Sequence, residues 1–328
     1  MARRRMSGQK RFLVTGGTGY LGRALAERLQ RDGNRVRILD VRTGDLYCEY
    51  VAGDILSEAD VDKAMRQVDG VFHVAAVVGF WKEKRKWQRM VNVEGTRNVM
   101  NAALHHGVPR IVYTSTINTL GYAATQDDVG DEETPYNWGP LDVSYMETKR
   151  EAEELVIRMV HEQNLPATIV NPATIFGGVG AVGMNANRYI ELIRSGQMPA
   201  YPTGGTNCVA LEDVVEGHVM AFRKGRNGER YILGAENLTY KQLFDFIASE
   251  LGVAAPAIPL VEGLTSVLAN VAEKGFGLLG KEPPFTAEMV RASSRFSFYR
   301  NDKARREFGM VFKEFLPYLQ RLIRQKYR

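Results

Sequence analysis

Only two cysteines occur in 328 residues, Cys48 and Cys208. They lie far apart and without metal-ligand spacing, which excludes a disulfide-stapled scaffold and suits a reducing cytosol. The five histidines, His73, His105, His106, His161 and His218, show no ligand spacing either, so no metal is assigned. Long apolar runs are also missing. The most apolar stretch, residues 251–280, is broken by Pro256, Pro259, Glu262, Glu273 and Lys274, short of the roughly 20 clean apolar residues of a membrane span. Within it Leu264, Val267, Leu268 and Val271 recur at helical spacing. The plainer reading is a core-facing or lid helix; peripheral membrane contact is the other. No apolar stretch follows the N-terminal charges, since Ser7, Gly8, Gln9 and Lys10 come at once; a secretory signal is not expected and a cytoplasmic location is.

A basic excess is lacking too, once its source is located. The formal net charge is +5, yet Arg3, Arg4, Arg5, Lys10 and Arg11 precede the first strand; without them 38 basic residues face 38 acidic ones. The body is near neutral, so nucleic acid is not an expected partner. The segment 81–89, with Trp81 and Trp87 among basic residues, reads as a solvated face beside a substrate mouth formed by Phe80 and Trp81. Hydrophobic residues at 45% and charged ones at 25% exclude disordered and fibrous classes. At about 150 residues per domain, the length implies two domains or one large α/β unit with an appended part.

Short β-rich runs alternate with amphipathic helical stretches, the pattern of a doubly wound parallel sheet. Strands are expected at 12–14, 35–39, 50–52, 71–74, 110–113 and 167–170, with one more at 231–233. Ala24, Leu25, Arg28 and Leu29 share one helical face; Val91, Gly95, Asn98 and Val99 share another. Gly33, Gly70 and Gly107 are read as left-handed helix C-caps. This gives a basic tail at 1–11, a dinucleotide-binding domain at 12–172 and a smaller, mainly substrate-binding domain at 173–328, with 201–234 returning to the sheet. Past Asn171, Gly177, Gly178, Gly180 and Gly183 make a flexible stretch at the strand ends.

Between the first strand and first helix stands Thr15-Gly16-Gly17-Thr18-Gly19-Tyr20-Leu21-Gly22. Gly17, Gly19 and Gly22 fit G-x-G-x-x-G, and Gly16, Gly19 and Gly22 fit its every-third-glycine variant. Glycines there let backbone N–H groups approach a pyrophosphate at the positive end of the helix dipole. Asp40 closes the second strand 18 residues beyond Gly22, near the spacing for a carboxylate that binds the adenosine ribose and repels a 2′-phosphate. NAD is therefore expected over NADP, although Arg42 would pair with a phosphate if Asp40 turned away. Asp54 either contacts the adenine edge or caps the next helix.

Tyr145 and Lys149, four apart, project from one helix face. Acid–base work by a phenol at neutral pH asks for a shift of about 3 units, worth about 4 kcal/mol. The Lys149 ammonium and an oxidised nicotinamide are the expected sources. Thr114-Ser115-Thr116 ends the fifth strand, where a hydroxyl can hold a substrate oxygen. Asp213 is read as a helix cap.

These three motifs, in this order, resemble the extended short-chain dehydrogenase/reductase family, and the resemblance covers nearly the whole chain. It includes the run Val71 to Ala76 and Asn92-Val93-Glu94-Gly95-Thr96. It implies a Rossmann fold with Tyr145 as acid/base, Lys149 on the nicotinamide ribose and lowering the tyrosine pKa, and Thr116 in place of the family's serine or threonine. It further implies cofactor contacts from Gly16, Gly19, Tyr20, Leu21 and Gly22, from Asp40, Asp54, Ile55 and Ala75, and from Thr114 and Asn171. Phe80, Trp81, Thr116 and Tyr145 are the implied substrate contacts, and a homodimer through the helices after the fourth and fifth strands is implied as well.

The segments 142–149 and 171–174, with 282–286 and 301–309, are similar to the branch of 3β-hydroxysteroid and sterol dehydrogenases and dihydroflavonol reductases. That branch implies an NAD(H)-dependent exchange of a secondary alcohol and a ketone on a lipophilic or aromatic small molecule. Two rivals stand beside it: a nucleotide-sugar epimerase or dehydratase using NAD transiently, and a non-catalytic nicotinamide sensor. Asn207 and Cys208 precede Val209 to Asp213, where sugar-nucleotide enzymes tend to carry an arginine, which counts against the first rival.

Overall fold

Strand β1 (Arg11–Thr15) pairs in parallel with β2 (Arg35–Asp40) on one side and β4 (Gly70–His73) on the other. This is the switch point of a seven-stranded parallel sheet whose order is β10 (Arg230–Leu233), β6 (Ala167–Pro172), β5 (Ile111–Thr114), β4, β1, β2 and β3 (Glu49–Ala52). The computed structural model describes residues 8–178, 186–263 and 286–327, with 265, 266, 269, 273, 276 and 283. Gly180 and Gly183, the stripe of Leu264, Val267, Leu268 and Val271, Glu282, Pro284 and Phe285, and Arg3 to Arg5 lie outside the described residues.

Most strands of the sheet are short apolar runs because both faces are covered. Helices α1 (Tyr20–Arg31) and α7 (Leu211–Lys224) pack together over one face, burying Leu25, Phe72, Val112 and Val214. Helices α2 (Glu58–Met65), α4 (Thr96–His105) and α5 (Ser144–Gln163) cover the other, with Leu39, Val99, Ile111 and Val156 at its core. The short helix α3 (Arg85–Arg89) runs through a π turn, Met90–Gly95, into α4.

Gly33 and Gly107 follow helices with φ +81° and +60°, as their spacing predicts. Gly70 does not. It opens β4, and a β-carbon there would lie 2.3 Å from the Phe222 ring, so its smallness serves packing; the left-handed turn falls on Gln67, φ +57°.

After β6 the chain leaves the sheet and builds a second lobe that the apolar pattern largely conceals. Strands β7 (Thr174–Phe176), β9 (Gly205–Ala210), β11 (Glu236–Thr239) and β13 (Phe296–Ser297) form one small sheet, and β8 (Ala200–Pro202) pairs with β12 (Ile258–Leu260). Helices α6 (Asn187–Arg194) and α8 (Tyr240–Leu251) flank them. Within 201–234, β9 belongs to the small sheet; α7 and β10 return to the large one. Asp213 caps nothing. Ala210 is the N-cap of α7, and the Asp213 carboxylate accepts from the Lys313 N–H and ammonium at 2.8 and 2.7 Å.

Two buried histidines tie helices to the sheet. His218 on α7 lies 2.7 Å from the Val214 carbonyl by Nδ1 and 2.9 Å from the Thr114 hydroxyl by Nε2. Burial holds it neutral, its pKa lowered to about 4, and that of His73 to about 3. An unfolded histidine titrates near 6.5, so below that pH the unfolded chain binds protons the folded one refuses. This stability is whole above pH 6.5 and lost as pH falls towards 4. Each histidine is expected to cost about 2 kcal/mol between pH 6.5 and 5. Urea unfolding at pH 7 and 5 checks this; His218→Gln should show a smaller drop than the parent, and an equal drop would exclude His218 as a source.

Candidate active site

The glycine turn is pressed against the turn after β4. Gly16 has φ +70°, and a β-carbon on it would lie 2.7 Å from the Ala75 Cα. One on Gly22 would lie 2.2 Å from the Gly16 carbonyl oxygen, to which the Gly19 N–H already donates at 3.0 Å. A side chain on Gly17 would strike Ile38. With Gly19 as N-cap, α1 begins with no side-chain cap, which leaves the positive end of its dipole to an anionic group. Asp40 is fixed at the tip of β2: its Oδ2 accepts from the Thr18 N–H at 3.0 Å and hydroxyl at 2.8 Å, and its Oδ1 from the Arg42 N–H at 3.2 Å. A turn that admits only glycine, with a fixed carboxylate at the neighbouring strand tip, suits NAD better than a nucleotide bearing a 2′-phosphate.

Other residues expected at the cofactor also make contacts within the chain. The Tyr20 hydroxyl donates to the Gly177 carbonyl at 3.0 Å, joining α1 to the second lobe, while Leu21 is buried in the core. Asp54 does not cap α2. Ser57 does, accepting from the Asp60 N–H at 3.3 Å, and Asp54 accepts from the Leu56 N–H at 3.0 Å. Ile55 packs where a side chain on Gly95 would otherwise stand. The Thr114 hydroxyl pairs with His218, and only its carbonyl faces Lys149.

Helix α5 brings Tyr145 and Lys149 to one buried flank. Thr116 caps a short turn, Ile117–Thr119, by accepting from the Asn118 N–H, and its hydroxyl stands close enough to the Tyr145 phenol to favour the phenolate. The three expected residues therefore stand together around β5. Burial pushes the Tyr145 phenol up to about 12, and the neighbouring Thr116 hydroxyl only partly opposes it. The Lys149 ammonium turns instead to the Tyr113 hydroxyl at 3.0 Å and the Thr114 carbonyl at 2.9 Å, and burial lowers its own pKa to about 8. Burial by itself thus keeps the phenol protonated.

Asn171 is fully buried and is a support: its amide nitrogen lies 3.1 Å from the Thr116 carbonyl and 2.8 Å from the Glu153 Oε2. The Phe80 ring stands edge-on to Tyr145, centroids 5.6 Å apart, with Trp138, Val143 and Met146 completing an apolar patch. Trp81 caps the next short turn, Lys82–Lys84, with the Lys84 ammonium over its ring at 5.6 Å. Much of the basic run is paired: Arg85 and Lys82 with Asp142, and Arg89 with Glu94 and Glu151.

One polar chain beneath the site escaped the motif reading. The Thr15 hydroxyl lies 2.7 Å from His73 Nδ1 and accepts from the N–H groups of Val74 and Ala75. His73 Nε2 lies 2.9 Å from the Thr96 hydroxyl, which donates to the Asn92 carbonyl. The Asn92 side chain brackets Val77 and donates to the Thr148 hydroxyl, which donates to the Tyr145 carbonyl. Thr15, His73, Asn92 and Thr96 all fall within or beside the quoted motifs, but only the fold closes them into a chain. Among the described residues Asp62, His105 and His106 cluster on the outer face of α2 and α4; the Asp62 carboxylate there is already engaged by His106 and Arg66.

The model of the NAD dependent epimerase/dehydratase family matches residues 12–234. The chain is 32% identical to a putative dihydroflavonol 4-reductase of Synechocystis sp., covering 91% of this chain and 89% of that protein. It is 31% identical to sterol demethylase protein B of Methylococcus capsulatus, over 91% and 93%. The crystal structure of gox2253 superposes with a TM-score of 0.82 at 36% identity, covering 97% of this chain and 98% of that one.

A methyl at Gly16 must displace Ala75 and adopt a left-handed backbone, a strain of about 1–3 kcal/mol. Gly16→Ala is therefore expected to weaken NADH binding roughly tenfold or more, read by fluorescence titration. Binding within twofold of the parent would remove the cradle from the cofactor site.

Proposed function

The chain belongs to the NAD-dependent epimerase/dehydratase family, and we propose that it is an NAD(H)-dependent oxidoreductase that interconverts a secondary alcohol and a ketone on a lipophilic or aromatic substrate. The observation that carries this is the setting of Tyr145, a buried phenol beside the Thr116 hydroxyl and walled by Phe80 and Trp138. The named substrates of the Synechocystis and Methylococcus relatives, a dihydroflavonol and a sterol, are ring systems that suit such a wall. A sugar nucleotide suits it less. Asn207, ahead of the Val209–Asp213 segment, is engaged with Asn237, the Tyr299 carbonyl and the Ala235 N–H, and offers no cation to a pyrophosphate.

In the reductive direction Tyr145, protonated at neutral pH, gives its proton to the oxygen of the substrate as Thr116 holds that oxygen in place. Lys149 keeps a positive charge beside the site up to about pH 8. Bound NAD supplies the hydride donor or acceptor and, when oxidised, a positive charge that favours the phenolate needed for alcohol oxidation. The same reading takes the protein as cytoplasmic and dimeric, two copies meeting through the helices after β4 and β5, where Trp87 and Met90 are exposed; a monomer in sedimentation would remove the dimer.

A panel of cyclic ketones with NADH, beside UDP-sugars, tests the reaction. Ketone-dependent loss of reduced-nicotinamide absorbance is expected; sugar epimerisation without net redox change would replace this reading with the epimerase one. Tyr145→Phe should lower kcat by about 10²–10⁴ with the NADH Kd within about threefold. Ketone reduction should hold level through neutral pH and decline above about 8 as Lys149 loses its charge.

A further inference from the structure

We propose that Glu153 is a positioning residue of this site, a buried carboxylate that sets Thr116 in place and backs Lys149 with negative charge. The proposal rests on the reading of Tyr145, Lys149 and Thr116 given above. Glu153 stands eight residues beyond Tyr145 and four beyond Lys149 on α5, so it follows them along one flank, about 12 Å from the phenol end of the row. It is fully buried, where a carboxylate persists only if paired and hydrogen-bonded.

Its two oxygens are treated differently. Oε2 lies 2.8 Å from both the Thr119 hydroxyl and the Asn171 amide nitrogen. Oε1 accepts no hydrogen bond and faces two guanidinium groups, Arg150 from α5 at 3.8 Å and Arg230 from β10 at 3.6 Å. The single Thr119 proton has two acceptors at 2.8 Å, the Thr116 carbonyl and Glu153 Oε2, and the charged carboxylate is the stronger one. The Asn171 amide reaches the carboxylate, the Thr119 hydroxyl at 3.0 Å and the Thr116 carbonyl at 3.1 Å. Glu153 thereby anchors the hydroxyl and the amide that hold the backbone of Thr116, beside Tyr145. The same carboxylate joins α5, β6, β10 and the turn after β5.

Towards Lys149 the effect is electrostatic. The groups facing its ammonium are the Tyr113 hydroxyl and Thr114 carbonyl from β5, neutral His73 from β4, and Glu153 from α5. Of these only Glu153 carries negative charge, and it opposes the burial that draws Lys149 down. Arg150 and Arg230 face Glu153 from its far oxygen and moderate this support without removing it.

Glu153→Gln keeps the shape and removes the charge. Its amide can present oxygen to Thr119 and Asn171 only by aiming its NH₂ at Arg150 and Arg230. In lysine-labelled ¹³C NMR, with the resonance assigned by Lys149→Met, the Lys149 midpoint is expected to fall by about one unit in E153Q. The kcat for ketone reduction should fall by roughly ten- to a hundredfold, with KM and the NADH Kd within about threefold, and the alkaline limb should move with the lysine midpoint. A folded E153Q with unchanged midpoint and unchanged kcat overturns the proposal. Thr119→Val breaks the hydrogen bond but keeps the charge. It should lower kcat by at least about threefold and leave the lysine midpoint where it is; unchanged kcat in T119V overturns the positioning role, including where E153Q does not fold. The NMR arm needs no turnover, so an absence of ketone reduction with the midpoint shift present would sink the functional reading and leave the charge role standing.

Discussion

Helix α5 carries a phenol, an ammonium and a carboxylate along one buried flank, and that arrangement holds only because each group finds a partner in the sheet beneath. Tyr145 stands beside Thr116, Lys149 is met by Tyr113 and the Thr114 carbonyl, and Glu153 by Thr119 and Asn171. All the partners come from the end of β5, the turn after it and β6. An unmet buried donor or acceptor would cost about 1–3 kcal/mol, and more for a charged one, so the position of α5 is set by polar contacts as well as by the Ala152 to Met159 packing behind it.

A second polar chain does the same for the cofactor side. Thr15, His73, Thr96, Asn92 and Thr148 run from the glycine turn across β4 to α5. The loop after β4, which touches Gly16 through Ala75 and Tyr145 through Phe80, is thereby fixed relative to both. The glycine cradle and Tyr145 are positioned against one common element. The neutrality of His73 follows from its place in that chain: both ring nitrogens face hydroxyls, and burial opposes a charge on the ring.

The second lobe reaches the site through narrower contacts. The Tyr20 hydroxyl holds the Gly177 carbonyl, and Tyr318 stands where a side chain on Gly177 would go. At the opposite side the Ser144 hydroxyl, one residue before Tyr145, donates to buried Glu288 at 2.7 Å, and Arg291 donates to the Leu141 carbonyl at 2.7 Å. The helix Ala287–Ser293 therefore grips the segment leading into α5, and the apolar wall around Tyr145 draws on both lobes through Phe80, Trp138 and Ala292.

The first half of the fold was legible in the residues because its signals are local. An apolar run, a glycine turn and an amphipathic stretch each record a strand, a phosphate cradle or a helix within a few positions, and the four-residue spacing of Tyr145 and Lys149 states a shared helix face. The second lobe was not legible: its strands are two to six residues long, too short for a period to register, and they pair with partners far along the chain. Nor did spacing tell the cap Ser57 from Asp54, or separate a packing glycine at 70 from a turning one at 33. The pKa directions at Tyr145 and Lys149 belong to the same class, because desolvation and the choice of partner depend on what the folded chain places around a group. What the sequence alone determined was which chemistry-bearing residues are present and in what order; the tertiary structure decided which oxygen and nitrogen each one faces, since those contacts join positions tens to hundreds of residues apart.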